Sequence, residues 1–178
     1  MEQKKTEKLV KMALLMAISV VLVYLVHFPI FPAVAFLEYD PADIPIIIGT
    51  FAFGPLAGFT ITCITAIIQG LTVSAASGLY GIIMHILATG AFVLVAGNIY
   101  RVKKTKKGAI TALLAGIVTM TVVMFGANMV VTPAFTGMPL SAIMGLMPFI
   151  VAFNLVKAGI NALVTFFLYK RISGFLHR

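Results

Sequence analysis

The chain has 178 residues, of which 61% are hydrophobic and only 10% are charged. A soluble domain carries about 25% charged residues, so this composition excludes an ordinary soluble protein and predicts an integral membrane protein. The net charge of +8 lies mainly at the termini and in one loop, which is typical of topology signals and not of nucleic-acid binding. Six apolar spans of about 20 residues would use most of the length, so we expect a single membrane domain over residues 1–178.

The first span is predicted at about residues 10–28. Its cytoplasmic end is marked by four lysines, at positions 4, 5, 8 and 11. A secretory signal cleaved after residue 35 is the alternative, but the apolar run is longer than a usual signal core, so we expect the span to be retained. Ala13 and Ala17 form a small-x-x-x-small pair, which allows another helix to approach closely, inside this protein or on a partner.

A connector at residues 27–43 follows, with three prolines and three acids but no base near the acids. The acids are Glu38, Asp40 and Asp43, and we expect Asp43 to cap the next helix. Residues 44–73 carry no charge, are too long for one span, and are divided by Gly54 and Pro55.

The basic segment 101–107 should share the cytoplasmic side with the N-terminus, so an even number of spans must separate them. We therefore predict span two at about residues 44–53, span three at 56–71 and span four at 80–100. Span two is short, and a re-entrant segment is the alternative.

Span five is predicted at about residues 108–130, followed by a second connector at 131–139. Span six is predicted at about 142–169, with a kink or a later start near Pro148. The result is an all-α integral membrane protein with six transmembrane helices and with both termini in the cytoplasm.

The sequence has no motif for catalysis or for ATP hydrolysis, because neither an H-E-x-x-H pattern nor a phosphate-binding G-x-x-x-x-G-K-[ST] loop occurs. We predict no enzymatic activity, no metal site and no required cofactor. His85 lies inside span four and is interpreted as a satisfied polar side chain. Any step driven by ATP would need a partner protein.

Polar side chains within the spans are the candidates for function. Lys157 lies deep in span six, where a charge costs about 2.5–3.5 kcal/mol on insertion scales. Asn154 and Asn161 share its helical face, and Gln69 and Asn128 lie on other spans. We expect a small-ligand pocket with an apolar body and a few polar anchors. Interhelical hydrogen bonding is the alternative for the amides, and pairing with one of the connector acids is the alternative for Lys157.

Four segments resemble the substrate-binding S components of energy-coupling-factor (ECF) vitamin transporters, and most of all the riboflavin-specific branch. They are FLEYDPADIP at 36–45, FGPLAG at 53–58, TPAF at 132–135 and FNLVK at 153–157. The Ala13 and Ala17 pair is also similar to the first-helix motif with which this family docks on its transmembrane coupling subunit.

The resemblance implies a six-helix protein of the bacterial plasma membrane that binds riboflavin from outside, with the first connector as a lid. A coupling (T) subunit and two ATPases would then drive release inside as the S component reorients. By motif, Asn154, Lys157 and Asn128 would be polar anchors, and Glu38, Tyr39 and Asp40 would belong to the lid.

Three other interpretations remain open. The ligand can be a different vitamin, such as a pyridoxine- or thiamine-related compound. The chain can also be a self-sufficient secondary transporter, or an assembly partner without a ligand.

Overall fold

The computed structural model describes the backbone of residues 2–176 and the side chains of residues 2–171. This part of the chain forms six α-helices. They are α1 (Glu2–Leu25), α2 (Asp43–Phe53), α3 (Pro55–Leu71), α4 (Gly78–Val102), α5 (Lys106–Thr136) and α6 (Leu140–Leu176). The prediction of six helices is confirmed. Of the six predicted spans, α1, α4, α5 and α6 are long and apolar enough to cross a membrane, whereas α2 and α3 are shorter apolar helices.

Helix α1 begins eight residues before the predicted start of span one, at Glu2 instead of residue 10. The additional turns consist largely of lysine, glutamate and glutamine, which are good helix formers in water. Hydropathy marks only the part of a helix suited to lipid, so it missed these turns.

The second connector was predicted too long. Helix α5 continues through Pro133 to Thr136, and only residues 137–139 separate it from α6. Gly137 ends α5 in the left-handed conformation (φ 71°), and its N–H donates to the carbonyl of Pro133. Pro148 likewise lies inside α6, which begins earlier than predicted, at Leu140. Both prolines are contained in helices that continue past them.

Helix α2 is at the centre of the bundle. Every residue from Asp43 to Phe51 is buried, and α1, α3, α4 and α6 all pack against the helix. Its 11 residues extend about 16 Å, roughly half the hydrocarbon thickness. At Gly54 (φ 97°) the chain turns directly into α3, and the two helices are so close that a Cβ on Gly58 would collide with the Thr50 side chain.

The first connector is folded and not an open loop. Strand β1 (Phe28–Pro29) pairs antiparallel with strand β2 (Glu38–Tyr39), and a 3-10 turn at Pro32–Val34 lies between them. Buried connector side chains form a second apolar core with residues of α6. This core includes Val34, Leu37, Ile143, Met147 and Ile150. The connector is therefore held against the first half of α6.

Candidate ligand cavity

A cavity opens in the bundle beneath the first connector. It has about 820 Å³ of empty space when its open mouth is counted, and it is lined by both polar and apolar side chains. Its walls come from α1, the connector and α3 to α6. Five of the eight predicted ligand-binding residues line it: Glu38, Asp40, Gln69, Asn154 and Lys157. The prediction that these are ligand-binding residues remains a prediction.

An ion pair joins the connector to α6 at the cavity wall. The Lys157 Nζ atom donates to Asp40 Oδ2 at 2.7 Å, and both side chains are largely buried. Asp40 Oδ1 accepts a second hydrogen bond, from the backbone N–H of Ala42 at 3.0 Å. The charge of Lys157 is thus compensated by one of the three acids that the sequence offered, which leaves further N–H groups of the ammonium for a ligand.

Asn161 lies behind this ion pair and does not line the cavity. Its Nδ2 atom donates to the Asp40 carbonyl at 3.1 Å and to Asp43 Oδ2 at 3.2 Å, and its Oδ1 atom accepts from the Tyr39 hydroxyl at 3.1 Å. Burial, together with the nearby Asp40 carboxylate, raises the pKa of Tyr39, so the phenol stays protonated and donates. Asn161 and Tyr39 therefore hold the connector against α6 and α2. For Asn161, this is the hydrogen bonding between elements that the sequence analysis gave as the alternative to ligand binding.

Asp43 was predicted to cap α2, and this was wrong. Ala42 is the N-cap residue, with no side-chain cap hydrogen bond, and Asp43 is the first residue of the helix. Its buried carboxylate accepts from Thr89 at 2.7 Å and from Asn161, and His85 Nε2 lies 3.5 Å away. An acid directly before an apolar run looks like a cap in the sequence, so its place in a buried network was missed.

His85, which was interpreted as a satisfied polar side chain, lies beside the buried Asp43 carboxylate. It lines the cavity from α4, and among the described residues its Nε2 atom has no hydrogen-bond partner of good geometry, although Asp43 is near. Gln69 Oε1, on α3, is a second buried atom at the cavity without such a partner in this part of the chain. Gln69 Oε1 is therefore open to a ligand, whereas His85 Nε2 faces the Asp43 carboxylate.

Asn128 does not line the cavity, but a series of hydrogen bonds connects it to a residue that does. Its Nδ2 atom donates to the Met124 carbonyl, and its Oδ1 atom accepts from Thr132 at 2.8 Å. The Thr132 hydroxyl lies 3.0 Å from that of Tyr80, a lining residue whose ring stacks on Phe135. Asn154 lines the cavity directly, with its Nδ2 atom bound to the Ile150 carbonyl of its own helix.

The predicted docking pair lies elsewhere. Ala13 and Ala17 are both exposed on the outside of α1, away from the cavity. Larger apolar side chains on the same exposed surface include Leu14, Ile18 and Val21. A partner helix could therefore reach both alanines without a change in the bundle.

An apolar helical bundle around a cavity with a few polar anchors is the architecture of a membrane protein that binds a small molecule. The family model "ECF transporter, substrate-specific component" matches residues 7–169. The chain belongs to this family, as its sequence resemblance predicted.

Individual relatives align with this chain over nearly its full length. The chain is 29% identical to the riboflavin transporter RibU of Staphylococcus aureus, covering 100% of this chain and 96% of that one. It is 30% identical to the riboflavin transporter FmnP of Bacillus subtilis, covering 98% and 96%. The solved structure of the S component of a bacterial ECF transporter superposes with a TM-score of 0.84 at 31% identity, over 98% of this chain and 99% of that one.

Proposed function

We propose that this chain binds riboflavin and mediates its uptake as the substrate-specific S component of an ECF transporter. The observation that carries the proposal is the cavity beneath the connector, with Lys157, Asp40 and Asn154 on its α6 side. Relatives named riboflavin transporters align over nearly the whole chain, which supports the same ligand here.

The lining suits a flat ring with polar edges. Methionines 84, 120 and 124, with Phe36 and Phe153, supply the apolar surface. Methionine is flexible and its sulfur packs well against aromatic rings, so these side chains can cover a flavin although the sequence contains no tryptophan. The ion pair and the amide can then bind polar atoms at the ring edge.

The proposal also covers the topology of the protein, its partner subunits and the movement that carries the vitamin across the membrane. Both termini face the cytoplasm of a bacterium, and the cavity takes up riboflavin from outside. A coupling subunit and two ATPases supply the energy, because the sequence has no ATPase motif of its own. The S component reorients in the membrane to release the vitamin inside.

Competition for the cavity separates riboflavin from the other vitamins. Protein purified in detergent is loaded with riboflavin and then challenged with unlabelled riboflavin, thiamine or pyridoxine. Only riboflavin should displace the bound vitamin at low concentration. Displacement by thiamine or pyridoxine at lower concentrations than riboflavin would reassign the ligand but leave the family unchanged.

The docking surface gives a second test. Replacing Ala13 and Ala17 together by tryptophan should abolish copurification of the coupling subunit, because the bulky rings keep the partner helix away. Riboflavin binding by the isolated chain should be unchanged, since neither residue lines the cavity. The matched control is Val118→Trp, at an exposed position on α5 that does not line the cavity. Normal copurification with both alanines replaced would exclude this surface.

A further inference from the structure

The turn between α4 and α5 carries a dense cluster of positive charge. Five of the 13 basic residues of the chain lie within positions 101–107, and all five are exposed. We call this cluster the α4–α5 basic turn; it consists of Arg101, Lys103, Lys104, Lys106 and Lys107. Like charges this close repel one another, so a negatively charged partner would stabilise the turn.

The acids of the chain belong to other elements. They lie in α1 or in and directly after the connector: Glu2, Glu7, Glu38, Asp40 and Asp43. Helix α1 packs against α2 and α3, whereas α5 packs against α4 and α6. Among the described residues, none of the five cations of the turn makes an ion pair. Their counterion therefore has to come from outside this part of the chain.

The turn is tightly folded, so its charges are held together. The Thr105 hydroxyl accepts from the N–H of Gly108 at 3.0 Å, and the Thr105 N–H donates to the Lys103 carbonyl at 2.9 Å. A Cβ on Gly108 would collide with the same carbonyl, because the chain passes close to itself here. The backbone thus presents the basic side chains from one compact surface.

The start of α5 adds to the positive potential. Lys106 and Lys107 form the first turn of this helix, where the helix dipole is positive and the first N–H groups have no partner inside the helix. Cations are unfavourable at this end of a helix and anions are favourable. An anion bound here would be attracted by the side chains and by the helix end alike.

An apolar stripe leads away from these cations along α5. Three exposed side chains follow Lys106 at intervals of four residues, on one face of the helix: Ile110, Leu114 and Val118. Val102, beside the turn on α4, is 79% exposed. Helices α4 and α5 are both long and apolar enough to cross a membrane, where such a face meets acyl chains. Cations followed by an apolar stripe match an anionic phospholipid and not a soluble anion.

We propose that the α4–α5 basic turn binds the phosphate headgroup of an anionic phospholipid, whose acyl chains lie along the stripe on α5. The inference does not depend on riboflavin being the ligand. It goes beyond a topology signal, because orientation during insertion needs only positive charge, whereas a bound lipid needs cations and apolar side chains on one surface. Ala13 and Ala17 lie on α1, so lipid and coupling subunit would occupy different surfaces.

Lipid binding by the full-length protein in detergent tests the proposal. The delipidated protein is titrated with phosphatidylglycerol or with phosphatidylcholine of the same acyl chains, and native mass spectrometry measures the bound fraction. Phosphatidylglycerol should bind more tightly. Lys104→Gln combined with Lys106→Gln should weaken its binding about 25-fold, or roughly 5-fold for each cation. Phosphatidylcholine binding should be unchanged, which also shows that the variant is folded. Lys103→Gln with Lys107→Gln repeats the test should the first variant not fold.

Lys4→Gln with Lys5→Gln is the matched control, because it removes the same charge from exposed positions on α1. Its affinity for phosphatidylglycerol should equal that of the unaltered protein. Inorganic phosphate at millimolar concentration should not displace the lipid, since it has no acyl chains. Equal affinity of the unaltered protein for both lipids, no loss in the variants of the turn, an equal loss in the control, or displacement by phosphate would each overturn the proposal.

Discussion

Replacing Asp40 by leucine should destabilise the protein by about 3–5 kcal/mol, because Lys157 is then a buried charge without a counterion. Both side chains of the pair are largely buried, at 13% exposure for Lys157 and 6% for Asp40. Lys157→Met should destabilise in the same way by leaving the carboxylate unpaired. Unfolding in detergent without ligand, followed by circular dichroism, measures the effect.

The double variant Asp40→Leu with Lys157→Met is the informative comparison. Replacing a buried ion pair by apolar side chains is often neutral or stabilising, so the double variant should recover most of the stability lost in either single variant. Glu38→Gln is the control, since this exposed acid of the same connector makes no ion pair within the described residues. If the stability losses of the two single variants simply add in the double variant, the ion pair between Asp40 and Lys157 does not explain those losses.

Riboflavin binding should depend strongly on the same face of α6. Asn154→Leu and Lys157→Met should each weaken it by about 1–3 kcal/mol, or about 5- to 150-fold, because a polar atom of the bound ring loses its partner. Equilibrium titration of each folded variant measures the loss.

Asn98→Leu is the matched control for these variants. Asn98 is an exposed amide on α4 that donates to a carbonyl of its own helix and does not line the cavity. Its replacement should leave the affinity unchanged. Wild-type affinity in both Asn154→Leu and Lys157→Met would remove the α6 side of the cavity from the binding site.

The sequence predicted helices well where apolar runs end at charges or glycines. Helix α4 was predicted at residues 80–100 and is observed at Gly78–Val102. Prolines misled the prediction at the end of α5, because Pro133 was interpreted as part of a connector. A helix can continue past a proline when nearby groups satisfy the backbone atoms it leaves free, and hydropathy does not report this.

The residue types that line the cavity could be predicted from the sequence better than the contacts between them. The spacing of Asn154, Lys157 and Asn161 correctly gave one helical face, but two of them line the cavity and Asn161 lies behind it. That distinction depends on how the connector folds over α6. The two strands of the connector are only two residues long, so no periodic pattern in the sequence could predict them.

The contact between Asp43 and His85 could not be predicted from the spacing of residues in the sequence. They are 42 positions apart in the chain (85 minus 43), and only the packing of α2 against α4 brings them to 3.5 Å. Each has an ordinary local interpretation, as a helix cap and as a satisfied core histidine. The network that they form with Thr89 and Asn161 arises from tertiary structure alone.

The most direct test of the central claim is a fluorescence titration of the purified, ligand-free protein with riboflavin. We predict saturable quenching of flavin fluorescence as the ring enters the cavity between the methionines and the α6 anchors, with half-saturation below micromolar flavin. Fluorescence that rises in proportion to added riboflavin, with no quenching at micromolar concentrations, would contradict the account.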